Sequence, residues 1–311
     1  MMKNVKRMLI WAPLLGGAAV LLATLTSSGP AVERSEVNDL AKLVVNGRLQ
    51  NPAPEVPAVV DLAGEAVPLN AFGVREALDR ELIVNTYHHS STMLYMKRAA
   101  RWFPVIEPIL AAEGVPDDLK YLAVIESGLA QVVSPAGAAG FWQFMKGTAP
   151  QYDLEVNREV DERYHVEKAT HAACAYLKEA KAEFGSWALA AASYNMGRGG
   201  VKRALAEQGV DNYWDLHLNS ETARYVFRLL AIKHIFESPA DHGFDLPSEA
   251  LYTPFETRTI VVDETIEDLA SFATQQGTHL KALKTLNPWL TDDRLPISVG
   301  NSYTIRLPKN A

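Results

Sequence analysis

Apolar residues recur at helical spacing through most of the chain between positions 70 and 237. The stretches 72–84, 92–112, 117–127, 166–184, 187–196, 198–207 and 221–236 all carry this spacing, which predicts a helix over each. Gly114-Val115-Pro116, Gly128 and Gly185-Ser186 stand between them as stop and start signals. Beyond Ser238 the pattern changes. Thr259-Ile260-Val261-Val262 and Tyr303-Thr304-Ile305-Arg306-Leu307 are β-rich, and Ile266–Thr274 and Leu280–Leu286 read as short helices between them. The chain is therefore expected to be mostly α, with a helical domain followed by a small, independent β-α-α-β module.

Proline-bearing stretches bound the helical region. Residues 26–66 hold Pro30, Pro52, Pro54 and Pro57, and residues 238–257 hold Pro239, Pro247 and Pro254, so both predict linkers. Ahead of the first, Lys3, Lys6 and Arg7 precede an apolar run from Met8 to Leu25. A basic segment before an apolar one is an export signal, cleaved or retained as a membrane anchor. The expected organisation is a signal or anchor over 1–25, a linker over 26–66, a helical domain over 67–237, a linker over 238–257 and the module over 258–308.

The composition narrows the chemistry. With 48% hydrophobic and 22% charged residues, the 311-residue chain is globular. A net charge of −7 without a long basic block argues against nucleic acid as a partner. The single cysteine, Cys174, excludes an intramolecular disulfide and reads as a small buried thiol. His88 and His89 are adjacent and cannot share a helix face, and neither His-Glu-x-x-His nor paired-cysteine spacing occurs. No metal or cofactor is expected. A Gly-x-Ser-x-Gly elbow for a serine nucleophile is missing as well.

One carboxylate breaks the pattern. After Pro116, Leu119, Leu122 and Ala123 fall at i, i+3 and i+4, and Glu126 takes the i+7 position where periodicity calls for an apolar side chain. Partial burial and the negative end of the helix dipole would both raise its pKa and keep it protonated as a general acid. The alternative is a terminal Glu turned to solvent. Downstream, the small-residue loop Ser134-Pro135-Ala136-Gly137-Ala138-Ala139-Gly140 permits close approach of a backbone or ligand. Phe141-Trp142-Gln143-Phe144 then pairs aromatics with an amide, a combination suited to sugar rings; the alternative is that the aromatics are core. Ser193-Tyr194-Asn195-Met196-Gly197 ends an alanine-rich helix with a polar cluster, which also reads as a glycine C-cap.

These pieces, in this order, resemble the family 1 lytic transglycosylases. Gly114-Val115-Pro116-Asp117-Asp118-Leu119 through Glu126-Ser127, Gly137 to Phe144, Ser193 to Val201 and Glu221-Thr222-Ala223-Arg224-Tyr225-Val226 are similar to four motifs of that family. Val67-Pro68-Leu69-Asn70 and Arg101-Trp102-Phe103-Pro104 look like its D-type lead-in. The resemblance implies a goose-type-lysozyme-like catalytic domain in which Glu126 is the acid/base. It implies that Ser134, Gln143, Tyr194 and Asn195 hold the sugar or orient the glutamate, and that Tyr225 lines the groove. The substrate it implies is the glycan strand of peptidoglycan, cut between N-acetylmuramic acid and N-acetylglucosamine to leave 1,6-anhydro ends. The expected place of action is the periplasm, with residues 8–25 either cleaved or kept as a membrane anchor, and the protein a monomer. The rivals are a hydrolytic muramidase, with a second carboxylate near Asp161, and a non-catalytic peptidoglycan-binding scaffold. The C-terminal module resembles a LysM domain through Leu283 to Pro288 and Gly300 to Pro308. Asp263-Glu264-Thr265 departs from the usual Gly-Asp-Thr there, and Leu290 to Ser298 looks like an insertion.

Overall fold

The computed structural model describes residues 53–310 and, ahead of them, a short antiparallel pair, β1 (Val44–Val45) with β2 (Arg48–Leu49). The apolar run Met8–Leu25 lies outside the described residues. Among the described residues no helix is long and apolar enough to cross a membrane. The chain from Pro54 onward forms one compact unit.

That unit is mostly helical. Its helices are α1 (Val74–Tyr87), α2 (His89–Glu113), α3 (Lys120–Ser127), α4 (Val166–Phe184), α5 (Trp187–Met196), α6 (Arg198–Gln208) and α7 (Thr222–Glu237). Each falls within a few residues of its predicted span. The exception is the start of the Glu126 helix, where Asp117–Leu119 winds as a tighter 3₁₀ turn before α3 begins. Helix α2 continues through Pro104 and Pro108. Ile106 and Leu110, on that stretch, are fully buried, and tertiary packing there outweighs the lost backbone bonds. Helix α7 packs on α1, α3 and α5, and its Val226, Leu229, Ala231, Ile232 and Ile235 have no exposed surface. Ala190, Ala191 and Ala192 of α5 are equally buried, and their small side chains let neighbouring helices approach.

Both expected linkers prove to be folded at least in part. Residues 61–66 form a hairpin, β3 (Asp61–Leu62) with β4 (Glu65–Ala66), whose Leu62 is fully buried in the helical core. The Glu65 carboxylate accepts the Trp187 N–H at 2.8 Å and the Ser186 hydroxyl at 3.0 Å, and it pairs with Lys181. It thereby caps α5 from a distant part of the chain. A hairpin this short leaves too little periodicity to be read between prolines. The second stretch lies against the helices too: Phe244 and His242 are buried, Tyr252 N–H donates to Lys97 O, and Arg101 Nε donates to Thr253 O at 2.8 Å.

The C-terminal module has the predicted order: β5 (Thr257–Val262), α8 (Leu269–Gln275), α9 (Leu280–Leu286) and β6 (Tyr303–Pro308). β5 and β6 run antiparallel from Thr257 opposite Pro308 to Val262 opposite Tyr303. Leu269, Ala273, Leu283, Leu295, Ile305 and Leu307 form its core, and Val160 of the helical domain completes that core. The module docks on the helical domain. Asp161 N–H donates to Trp289 O at 2.9 Å and Thr291 N–H to Glu159 O at 3.0 Å. Tyr303 hydroxyl donates to Glu155, Arg158 pairs with Asp292, and Arg306 pairs with Glu167. The apparent insertion supplies part of this seam through Leu290, which bridges to Val160.

Candidate active site

Leu119 of the 3₁₀ turn and Leu122, Ala123 and Val124 of helix α3 are completely buried, which fixes the helix's rotation and turns Glu126 toward α7. Gly128 ends the helix in the left-handed conformation, φ 60°. A Cβ there would lie 2.3 Å from the Tyr95 ring, so a side chain would have to push that ring aside. Arg98 Nη1 donates to Gly128 O at 3.0 Å, and Ser127 Oγ lies 2.9 Å from Phe141 O, which ties the helix end to the small-residue loop.

Glu126 is partly buried, and Tyr225 Oη donates to its Oε1 at 2.5 Å. Its pKa rises to about 7. Burial is the main cause; the Tyr225 bond and the Arg228 charge pull the other way, and Glu221 adds a push upward. The burial expected from periodicity is thus realised, and the surrounding charges belong to α7 and the residue before it. Tyr225 itself is buried, and both burial and the Glu126 carboxylate hold its hydroxyl far above the usual phenol pKa.

The other expected site residues are placed as follows. Tyr194 lies among Trp142, Phe144 and Tyr176, and its hydroxyl donates to Trp142 O at 2.8 Å. Burial, and next the charge of the nearby Glu126, raise its pKa well above the usual phenol value. Asn195 Oδ1 accepts from Thr222 Oγ1 at 2.7 Å, and its Nδ2 is 3.4 Å from Glu221 Oε1, so it joins the end of α5 to the start of α7. Gln143 adopts φ 50°, and its Nε2 donates to Gly140 O at 2.7 Å and Val132 O at 3.1 Å. Ser134 Oγ accepts Ala138 N–H at 3.0 Å. Ser134 and Gln143 therefore shape the loop, with their hydrogen bonds going to loop backbone and none to Glu126.

The aromatics of that loop are core residues. Phe141, Trp142 and Phe144 are 2%, 0% and 4% exposed, so the reading of them as a sugar platform does not hold. Trp142 Nε1 donates to Thr170 Oγ1 at 2.9 Å inside the core. The loop is clamped from behind. Arg163 Nη1 donates to Gly137 O at 2.8 Å and Phe144 O at 3.1 Å, while Asp161 accepts its Nε and Nη2. Glu162 pairs with Lys168. Asp161 and Glu162 are buried and committed to these bonds, which removes them as a second catalytic carboxylate. The carboxylate that does act on Glu126 is the exposed Glu221.

Motif reading missed Arg228 and Glu81. Arg228 follows Tyr225 by one turn on the same face of α7, a spacing visible in the sequence. Glu81 is a fully buried carboxylate on α1 with no local signal. A separate cleft of about 340 Å³ opens between the helical domain and the C-terminal module, lined by Trp102, Tyr164, His165, Trp289 and Tyr303. Glu126 is not part of its wall.

Comparison with known proteins finds two matching family models and two similar curated proteins. Residues 104–216 match the transglycosylase SLT domain, and residues 258–311 match the soluble lytic transglycosylase C-terminal LysM-like domain. The chain is 30% identical over 247 residues to the membrane-bound lytic murein transglycosylase D of Escherichia coli K12, covering 76% of this chain and 52% of that protein. The same figures hold for the protein of that name from E. coli O6:H1. The chain thus spans about half the length of these relatives. In chain order, its two matched stretches are similar to a transglycosylase SLT domain and to the LysM-like domain that ends soluble lytic transglycosylases.

Proposed function

We propose that this protein is a peptidoglycan lytic transglycosylase with Glu126 as its single acid/base. The observation that carries the reading is a carboxyl raised to about 7 by burial and held by a buried phenol, within an SLT domain. Protonated Glu126 donates to the glycosidic oxygen between N-acetylmuramic acid and N-acetylglucosamine, and the C1–O bond breaks. The carboxylate then accepts the proton of the muramoyl 6-hydroxyl as that oxygen bonds to C1. The glutamate ends as it began, no water is consumed, and the product is a 1,6-anhydro end. Tyr225 holds Oε1 while the charge on Glu126 changes. Tyr194 and Asn195 support the groove from α5, and Ser134 and Gln143 fix the loop that forms its wall.

The match to a membrane-bound murein enzyme supports action in the periplasm, with residues 8–25 as anchor and the protein a monomer. The LysM-like module, docked on the helical domain, would hold the strand near the groove. A second reading, hydrolysis by water, is favoured by Glu221, whose charge reaches Glu126. Mass spectrometry of muropeptides released from sacculi decides between them. Anhydro products from the wild type and from Glu221→Gln, and none from Glu126→Gln, are the expected result. Reducing ends about one water heavier, lost in Glu221→Gln, would make the protein a muramidase. Binding without release would make it a scaffold.

A further inference from the structure

A cleft of about 230 Å³ lies beside Glu126 among α1, α2, α3 and α7. Val84, His88, Tyr95, Ile125, Arg228 and Ile232 line most of it. Ile125, in its wall, directly precedes Glu126, and the Arg228 charge is felt at the Glu126 carboxyl, so the cleft lies close to the acid. Its charge balance is uneven. Glu81, at the back, is 1% exposed and already holds Arg224 at 2.7 Å as well as Arg80. These groups satisfy one another. Arg228, one turn further along α7, makes no ion pair among the described residues. A half-buried guanidinium with no carboxylate in ion-pair contact, set in a cleft with apolar walls, suits an anion that also carries alkyl groups.

We propose that this cleft binds the peptide stem of the substrate strand and that Arg228 pairs with a stem carboxylate. The inference rests on the reading of the substrate as peptidoglycan. In that polymer the stem leaves the muramoyl sugar, one of the two sugars at the scissile bond, so a strand seated on Glu126 sends its peptide into the immediate surroundings. Val84, Ile125 and Ile232 offer apolar wall to the stem side chains, and Arg228 offers a forked donor to a carboxylate. Arg228 is thus a specificity-determining residue.

The test compares wild type, Arg228→Gln and Arg228→Lys, as full chains, on strands that carry their peptides and on strands stripped of them by an amidase. Replacing Arg228 removes no ion pair from the fold. The expected result is a kcat/KM loss in Arg228→Gln that is about tenfold greater on peptide-bearing strands than on stripped ones, partly recovered by Arg228→Lys. An equal loss on both, with the alkaline limb of the pH profile moved upward, would mean that Arg228 acts only through Glu126, and would overturn the inference. A greater loss on stripped strands, which expose the lactyl carboxylate, would assign the cleft to that group and overturn the stem reading. If the wild type released nothing from either substrate, the transglycosylase reading would fail by itself. The binding affinities of both strand types for wild type and Arg228→Gln would then judge the cleft separately.

Discussion

The hydroxyl of Tyr225 donates to Glu126 Oε1 at 2.5 Å, from a phenol kept protonated by burial and by the carboxylate it faces. The bond favours the charged carboxylate, whereas burial favours the neutral acid. The outcome near 7 means that burial prevails without removing the ability to ionise. An acid/base that must give up a proton and take one back within a turnover needs that balance.

A pH profile follows from the same balance. Turnover begins with protonated Glu126, so kcat/KM is expected to be flat in mild acid and to fall as pH rises through about 7. Tyr225→Phe removes the bond that favours the charged form. Its alkaline limb should therefore move to higher pH, and its plateau should drop about ten- to a hundredfold as the carboxyl loses its orientation. A downward shift of the limb would contradict this account of the Tyr225–Glu126 pair.

Glu126→Gln is expected to abolish release and yet stabilise the fold in alkali. A carboxyl whose folded pKa is raised contributes stability that is full below about 4.5 and is lost as pH rises to about 7. Above that range the wild type holds a buried charge that the amide lacks. The difference corresponds to at most about 3 kcal/mol. Denaturant unfolding at pH 4 and pH 8 should show an advantage of the variant at the higher pH and a much smaller one at the lower. Equal advantages at both would mean that Glu126 is solvated when charged.

Much of this was legible in the residues because helices and their stops are local signals. The stripe Leu119, Leu122, Ala123, Glu126 is such a local signal, and it sets a carboxylate on an apolar face. What such reading missed arises from long-range contact. Phe141, Trp142 and Phe144 look the same in a sequence whether they face sugar or core, and only the packing of α2, α4 and α5 around them decides for core. The hairpin Asp61–Ala66 was hidden among prolines, although Glu65 caps a helix more than a hundred residues away. The docking of the C-terminal module depends on Val160, Leu290 and Trp289, which have no sequence relationship to one another.

Gly140 is where the loop meets its clamp. It holds φ 78°, and a Cβ there would lie 1.9 Å from the Arg163 carbonyl oxygen. Because the obstacle is backbone, no rotamer change relieves it. Gly140→Ala is expected to destabilise the fold by about 2–4 kcal/mol, readable as a lower midpoint in denaturant. Gly147→Ala, with open space around its Cβ position, is the matched control and should stay close to wild type. Similar midpoints for the two variants would show that the loop moves away from Arg163 at little cost.

The last prediction concerns the seam between the helical domain and the C-terminal module. Burial alone would raise the pKa of Glu167, but hydrogen bonds from His165 and Arg306 outweigh it and hold the carboxyl down at about 2. A depressed carboxylate contributes stability that is present above about 4.5 and lost as pH falls through about 2. Arg306 lies on β6, so this pair joins the module's last strand to α4. Glu167→Gln should reproduce at neutral pH what acid does to the wild type, weakening the seam by about 1–2 kcal/mol through the loss of a charge-assisted bond. The other links, Tyr303 to Glu155 and Arg158 to Asp292, remain. Calorimetry should then resolve a lower-temperature transition for the module in the variant, where the wild type melts as one unit, and a protease should cut the 238–256 segment sooner. A single unchanged transition in Glu167→Gln would mean that the apolar contacts of Val160, Leu290 and Trp289 hold the module without help from the ion pair.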